Sequence, residues 1–355
     1  MRPVLRQSVL GLHRWVALAL ALPAVAVTLA GAVLVFRAEI AGDIVPPAWP
    51  AGAWERAAQA ARQAGPGGAT LEIVPRGDRA EVLVDGKQGR TLDVDPASGR
   101  VLSDERSGPP GFPLVFRLHT RLATGAWAEW IVALAGAVLL VSAVTGLALA
   151  WPVSSRAWKY VLRVRVGDGW LPLATDLHRV LGIAAAPLLA INAATGLVLV
   201  FSSPAAQLVT ALAPAAPSAV AAAPAAPCAP CTLDQLVAHA ESLVPGARAI
   251  RVVVEGPGEP VGVRLRRPSE ESTQGMNRVF LDAATGRVVK AVPLERAAAG
   301  AAMFEWLYPL HTGRWMGFAW RVALAAAGIA PLVALATGFA LWLTRRRARQ
   351  KRGLA

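Results

Sequence analysis

Shifted by 165 residues, the chain overlays itself. Leu12, His13, Arg14, Gly31 and the run Val33 to Phe36 fall on Leu177, His178, Arg179, Gly196 and the run Val198 to Phe201. A shift of 192 places Leu118, His119, Thr120, Gly125, Thr145, Gly146 and Leu149 on Leu310, His311, Thr312, Gly317, Thr337, Gly338 and Leu341. The fold must therefore be built from two copies of one unit. Four of the five histidines occupy registered places in it, each where an apolar run begins.

Four apolar runs reach the roughly 20 helical residues that cross a bilayer core: Val16 to Phe36, Trp130 to Trp151, Val180 to Phe201, and Val322 to Leu343. Pro23, Pro187 and Pro331 lie inside three of them. Membrane helices tolerate such prolines where neighbours satisfy the freed carbonyls. The first run follows a basic start, as a secretory signal does, but it is too long for one and its copy at residues 177–201 cannot be one.

The formal charge of +13 invites a nucleic-acid reading, which its distribution excludes. Residues 1–15, 152–179 and 345–355 together hold twelve of the thirteen net positive charges, whereas the long loops 38–118 and 203–310 are balanced or slightly acidic. Under the positive-inside rule the termini and the middle loop are cytoplasmic and both long loops are outside, periplasmic in a two-membrane host. The basic charge records topology, with the lipid bilayer as partner and no nucleic acid.

Each long loop reads as a small α+β module. The first has helical composition from Trp54 to Gln63, alternating strands at Leu71 to Val74, Glu81 to Val84 and Thr91 to Val94, then a turn at Asp95 to Gly99 and a last short strand. The second has a helix from Thr232 to Leu243, with Thr232 and Asp234 as cap candidates, and strands at Ala249 to Val254, Val261 to Leu265 and Arg278 to Asp282. Its helix carries His239, expected as a solvated side chain. Before it lies an Ala/Pro-rich linker ending in the only cysteines, Cys228 and Cys231. A structural disulfide and an electron-exchanging thiol couple both fit that CAPC spacing. Covalent haem attachment does not, because Thr232 stands where that motif needs histidine.

His13 and His178 head spans running outward, and His119 and His311 precede spans running inward. The repeat therefore sets two histidines at each depth. One reading is interfacial anchoring beside Trp15, Trp127, Trp130, Trp315 and Trp320. Four in register favour ligation instead, since ionisable groups at membrane helices default to function. Zinc is poorly supplied, with neither cysteine nor carboxylate beside the pairs. Two imidazoles in an apolar pocket suit haem. Gly31, Gly136, Gly146, Gly196, Gly328 and Gly338 either line such a pocket or serve helix packing. Arg14 and Arg179, each following a histidine, either pair haem propionates or anchor helix ends at headgroups.

Several segments carry a family resemblance. They are LHRWVALALALPAVAVTLAGAVLVF and its copy LHRVLGIAAAPLLAINAATGLVLVF; FRLHTRLATGAW and YPLHTGRWMGFAW; the Thr-Gly pairs late in the second and fourth spans; and the turns DVDPASGRV and FLDAATGRV. In these the chain resembles the PepSY-associated transmembrane-helix proteins of the iron-regulated membrane protein group, which include inner-membrane ferric-siderophore reductases. The resemblance covers nearly the whole chain. It implies an integral membrane α-helical protein, a four-helix bundle from an internal duplication, with two extracytoplasmic α+β PepSY-like domains. It also implies haem b, in two copies, with His13, His178, His119 and His311 as axial ligands of the iron.

The expected layout runs as follows: cytoplasmic start and first span, 1–37; first PepSY-like domain, 38–118; second span, 119–151; cytoplasmic loop, 152–179; third span, 180–201; linker, 202–231; second PepSY-like domain, 232–310; fourth span, 311–344; basic tail, 345–355. The expected activity is electron transfer across the bacterial inner membrane to a periplasmic acceptor, a ferric siderophore whose reduction releases iron. No flavin or nicotinamide region follows RRRARQKRGLA, so quinol or a separate cytoplasmic reductase is the expected donor. Two other classes compete: a haem-free membrane-anchored sensor binding a peptide or protease, and a transporter. Transport ranks last, because Glu129 is the only acidic residue read as close to a span.

Overall fold

The computed structural model describes residues 3–41, 49–65, 70–84, 91–104, 111–125, 127–152, 154–212, 228, 230–270, 272–292 and 299–351. Its first five helices are α1 (Pro3–Ala19), α2 (Ala21–Leu34), α3 (Arg37–Ala41), α4 (Ala53–Ala64) and α5 (Phe112–Arg121). There follow α6 (Ala128–Ala150), α7 (Trp158–Val161), α8 (Trp170–Val200), α9 (Ser202–Leu212), α10 (Leu233–Leu243), α11 (Ala299–Thr312) and α12 (Gly317–Lys351). The strands are β1 (Leu71–Arg76), β2 (Arg79–Val84), β3 (Thr91–Val94), β4 (Val101–Ser103), β5 (Arg248–Val254), β6 (Val261–Arg266), β7 (Asn277–Leu281) and β8 (Val288–Val292).

Two compact units result. One comprises residues 1–36, 111–202 and 310–355; the other comprises 37–110 and 203–309. In the first, α6, α8 and α12 are each long and apolar enough to cross a membrane. Only 22% of each one's most apolar window is buried within the protein, so their outward faces need a hydrocarbon solvent. In this unit α2 packs on α6 and α12, α8 packs on the same two, and α1 lies along α6.

The expected first span is broken. Helices α1 and α2 meet at 71° around Leu20. Pro23 is the physical reason: it has no N–H for the carbonyl of Ala19, and its ring crowds that carbonyl, so α1 ends there. Pro187 and Pro331, by contrast, sit inside the continuous helices α8 and α12. The helical start of α8 at Trp170 also takes residues 170–179 out of the loop expected at 152–179. Of the basic tail, residues up to Lys351 continue α12 and 352–355 lie outside the described residues.

The second unit departs from two separate modules. Its strands form one antiparallel sheet in the order β4-β3-β2-β1-β5-β6-β7-β8. The halves join where Leu71, Glu72 and Ile73 pair with Val254, Val253 and Val252. Each half alone would leave β1 or β5 with unpaired backbone groups, and pairing them removes both edges. One core serves the whole sheet: Ile73, Val82 and Leu92 from one half share it with Val252, Val263 and Leu281 from the other, and α4 and α10 pack onto it.

Those two helices begin as a reciprocal pair. The carboxylate of Asp234 accepts the Glu55 backbone N–H at 2.9 Å, and that of Glu55 accepts the Leu233 N–H at 3.0 Å. Thr232 caps α10 in a capping box with Gln235. The repeated turns match as well: Gly99 and Gly286, both with positive φ, donate N–H to Asp95 O and Asp282 O. His239 is not solvated as expected, because the turn after β7 brings Gly286 O within 3.1 Å of its Nδ1. Of the Ala/Pro-rich linker, Ser202–Leu212 is helical, while 213–227 and 229 lie outside the described residues. At its end Cys228 and Cys231 form a disulfide.

Candidate functional site

Within the first unit the four registered histidines meet in two pairs. The ring centroids of His13 and His178 are 6.3 Å apart, and those of His119 and His311 are 6.0 Å apart. Residues 165 and 192 positions apart in sequence thus converge on matching geometry, as the repeat requires.

Each imidazole is seated on a glycine of another helix. A Cβ built on Gly146 would stand 3.1 Å from His13 Cε1, and one on Gly338 would stand 3.1 Å from His178 Cε1. For Gly31 and His119, and for Gly196 and His311, the distance is 3.0 Å. These approaches are tighter than most side-chain contacts, so a methyl at any of these glycines would make the ring give way by a few tenths of an ångström. The other two span glycines have different neighbours. Gly136 faces the Leu197 side chain, and Gly328 backs onto Thr28 O and Ala32 in helix packing.

A backbone carbonyl sets the tautomer of each ring, joined in three of the four by the threonine before the glycine. His13 Nδ1 lies 3.0 Å from Thr145 Oγ1, and His311 Nδ1 lies 3.0 Å from Thr195 Oγ1. His178 Nδ1 lies 3.0 Å from Ala334 O and 3.3 Å from Thr337 Oγ1. All three hydroxyls donate back along their own helix, to Val141 O, Ile191 O and Val333 O, at 2.6, 2.8 and 2.7 Å. With its hydrogen committed there, each hydroxyl can only accept from the ring. His119 has no threonine, since Ala30 precedes Gly31, and its Nδ1 meets Val27 O at 2.8 Å. A carbonyl can only accept. In all four rings, therefore, Nδ1 carries the proton and Nε2 keeps its lone pair, the arrangement in which a second partner orients a metal-binding histidine.

The supports of the two pairs differ. His119 rides on α5, which is separated from α6 by Leu122 and Ala123 at positive φ. The ion pair Arg121 to Glu129, at 2.6 Å, ties the two sides of that turn together. His311 ends α11, before a turn opened by Gly313 at positive φ. So neither stands on the span that follows it. His178 is carried by α8 itself, two residues after Asp176, which is fully buried. Asp176 accepts from Arg165 N, Nε and Nη2 at 3.1, 2.8 and 3.0 Å, and from Arg179 Nη2 at 2.8 Å.

Asp176 corrects the reading that Glu129 is the only acid near a span. The signal was available, an aspartate just ahead of a histidine in a helix start. The two arginines expected to act alike also diverge. Arg179 spends Nε on Val161 O and Nη2 on Arg163 O and Asp176, holding the α7 loop to α8. Arg14 lies over the Trp15 ring at 5.0 Å, and its buried Nε has no hydrogen-bond partner among the described residues.

Among the described residues, no third His, Cys, Asp or Glu joins either pair in a cluster able to hold a metal ion. Each pair brings two imidazoles to a spacing at which one metal ion could stand between them. Along α8, His178 and Gly196, the seat of His311, are 18 residues apart, so the two pairs stand about 27 Å apart along a helix axis.

Compared with known families, residues 10–345 match the model of the PepSY-associated TM region. No curated protein matches the chain.

Proposed function

The chain belongs to the PepSY-associated TM family, and from that membership and its two seated histidine pairs we propose that it is a haem b electron-transfer protein. Its place is the bacterial inner membrane, with termini in the cytoplasm and the sheet unit in the periplasm. The observation that carries the reading is the shared setting of Nδ1, which in all four rings lies 2.8 to 3.0 Å from an oxygen and so leaves Nε2 for a ligand position.

The residues fit haem in three further ways. One metal ion shared by two imidazoles through bonds of about 2 Å would ask for ring centroids about 6 Å apart. The two spacings here are 6.3 and 6.0 Å. The glycine seats at positions 31, 146, 196 and 338 keep the space beside each ring clear. The unpaired Nε of Arg14, next to His13, suits an acidic group such as a propionate.

His13 and His178 would hold one haem, and His119 and His311 the other. Haem bound there would supply one-electron transfer between the two membrane faces. The chain's own part is to fix the axial ligands, exclude water with apolar helices, and place charge nearby, which together set the potential. Quinol or a separate cytoplasmic reductase would donate. The acceptor would be a ferric siderophore, whose iron is released on reduction.

The test is the dithionite-reduced minus oxidised spectrum of the purified protein, with haem per chain measured as the pyridine haemochrome. Sharp b-type bands at about two haems per chain support the reading. A flat spectrum after expression with added haem would sink it and favour a haem-free anchored module that binds a peptide or protease.

A further inference from the structure

Three arginines stand directly across from one another on neighbouring strands of the sheet unit. Arg251 on β5 pairs with Arg264 on β6, which pairs with Arg278 on β7. Their face alternates with the one covered by α10, since Val263, Leu265 and Val279 beside them are buried in the core. Like charges directly opposite on a sheet are destabilising, so the row needs an explanation beyond packing.

Two carboxylates answer three guanidinium groups. Glu72 meets Arg251 Nη1 at 3.0 Å, and Glu305 reaches both Arg264 Nη2, at 3.7 Å, and Arg278 Nη2. Gln274 accepts from Arg251 Nη2 at 2.8 Å through its side chain and from Arg264 Nη1 at 3.4 Å through its backbone. Among the described residues one positive charge is left over, and the buried Nε of Arg278 has no hydrogen-bond partner. Burial, followed by repulsion from Arg278, pushes the Arg264 guanidinium down to about 10, with Glu305 only partly opposing it.

We propose that the Arg251–Arg264–Arg278 row is a binding site for a small carboxylate-bearing anion, which takes the free Nε side of Arg278 and competes with Glu305. The carboxylate class follows from Glu305, already an internal example of the planar anion this pair of forks accepts. The inference makes no use of the haem reading, and the reduced-minus-oxidised spectrum of the same sample reports that reading separately.

The experiment is calorimetric titration of the full chain in detergent with citrate as the probe, and with inorganic phosphate at equal ionic strength as the comparison. Saturable citrate binding is expected, about tenfold weaker in Arg278→Gln and about tenfold tighter in Glu305→Gln, where the internal competitor has lost its charge. Should Arg278→Gln fail to fold, the comparison of Glu305→Gln with the parent still decides. No saturable citrate binding, phosphate binding as tightly, or an unchanged affinity in Glu305→Gln overturns the proposal.

Discussion

His311 rests its Cε1 edge 3.0 Å from the point a Cβ on Gly196 would occupy. Gly196→Val is therefore expected to push the ring out of register. Overpacking of this kind costs about 1–3 kcal/mol. The expected result is loss of the spectral component assigned to His119 and His311, with the other component and the far-ultraviolet helix signal retained. Gly136→Ala, whose methyl would meet only the Leu197 side chain at an ordinary 3.6 Å, should leave both components in place.

The threonines are each backed by a backbone carbonyl three residues earlier, Asn192 O for His311 and Ala334 O, 3.0 Å from Nδ1, for His178. Thr195→Val and Thr337→Val are therefore both expected to cost less than the about 10–100-fold in metal affinity that follows outright loss of an orienting partner. Haem retained per chain after dilution and gel filtration measures both. A loss of about tenfold or more in either variant would mean that the backbone carbonyl does not hold the ring.

Replacing a ligand should remove one pair at a time. His119→Ala or His311→Ala is expected to take haem from about two per chain to about one, and so is His13→Ala or His178→Ala. Each set should delete a different component of the reduced spectrum. Loss of all haem from any single change would point to one shared site.

Asp176→Asn removes the carboxylate that gathers Arg165 and Arg179, at a cost of about 1–3 kcal/mol for the hydrogen bonds left unanswered. The expected readout is a shifted potential or faster haem loss at the His13 and His178 pair alone. An effect of equal size on both pairs would show a purely general loss of stability.

The matched turns supply a pH dependence. The Thr285 hydroxyl beside Asp282, with the backbone N–H groups of Thr285 and Ala284, holds that carboxyl below its ordinary range. Ser98 and the Ala97 N–H do the same for Asp95. Carboxyls depressed by folding contribute stability that is complete above the ordinary aspartate value of about 4 and is lost as pH falls through the folded value. The thermal midpoint of the sheet unit should therefore fall on acidification, and less in Asp95→Asn/Asp282→Asn. Identical slopes would remove these turns from the account.

Much of this was legible in the chain. Alternation, and for β4 the turn before it, marked seven of the eight described strands, and the repeat set the histidines in two pairs. Strand β8 escaped because its residues are partly exposed throughout, with no alternation to read. The join of β1 to β5 left no local trace, since pairing between strands about 180 residues apart depends on edges that only form in the fold. Pro23 looked like Pro187 and Pro331 in the sequence, and only the fold separates them, with a helix break at one and continuous helices at the others. Thr145, Thr195 and Thr337 were visible as residues before glycines, but their role rests on a hydroxyl hydrogen already spent within the helix.

The pairing of β1 with β5 also has a consequence in time. Strand β1 is complete once Arg76 is made, yet its second neighbour begins only at Arg248, with α6 and α8 encoded in between. At about 5–20 residues per second, those roughly 170 residues take on the order of 10–35 s to synthesise. For that interval the nascent chain carries a free row of backbone donors and acceptors along β1, open to any passing strand. The half-made sheet, more than the finished protein, is then the form that a chaperone would have to guard.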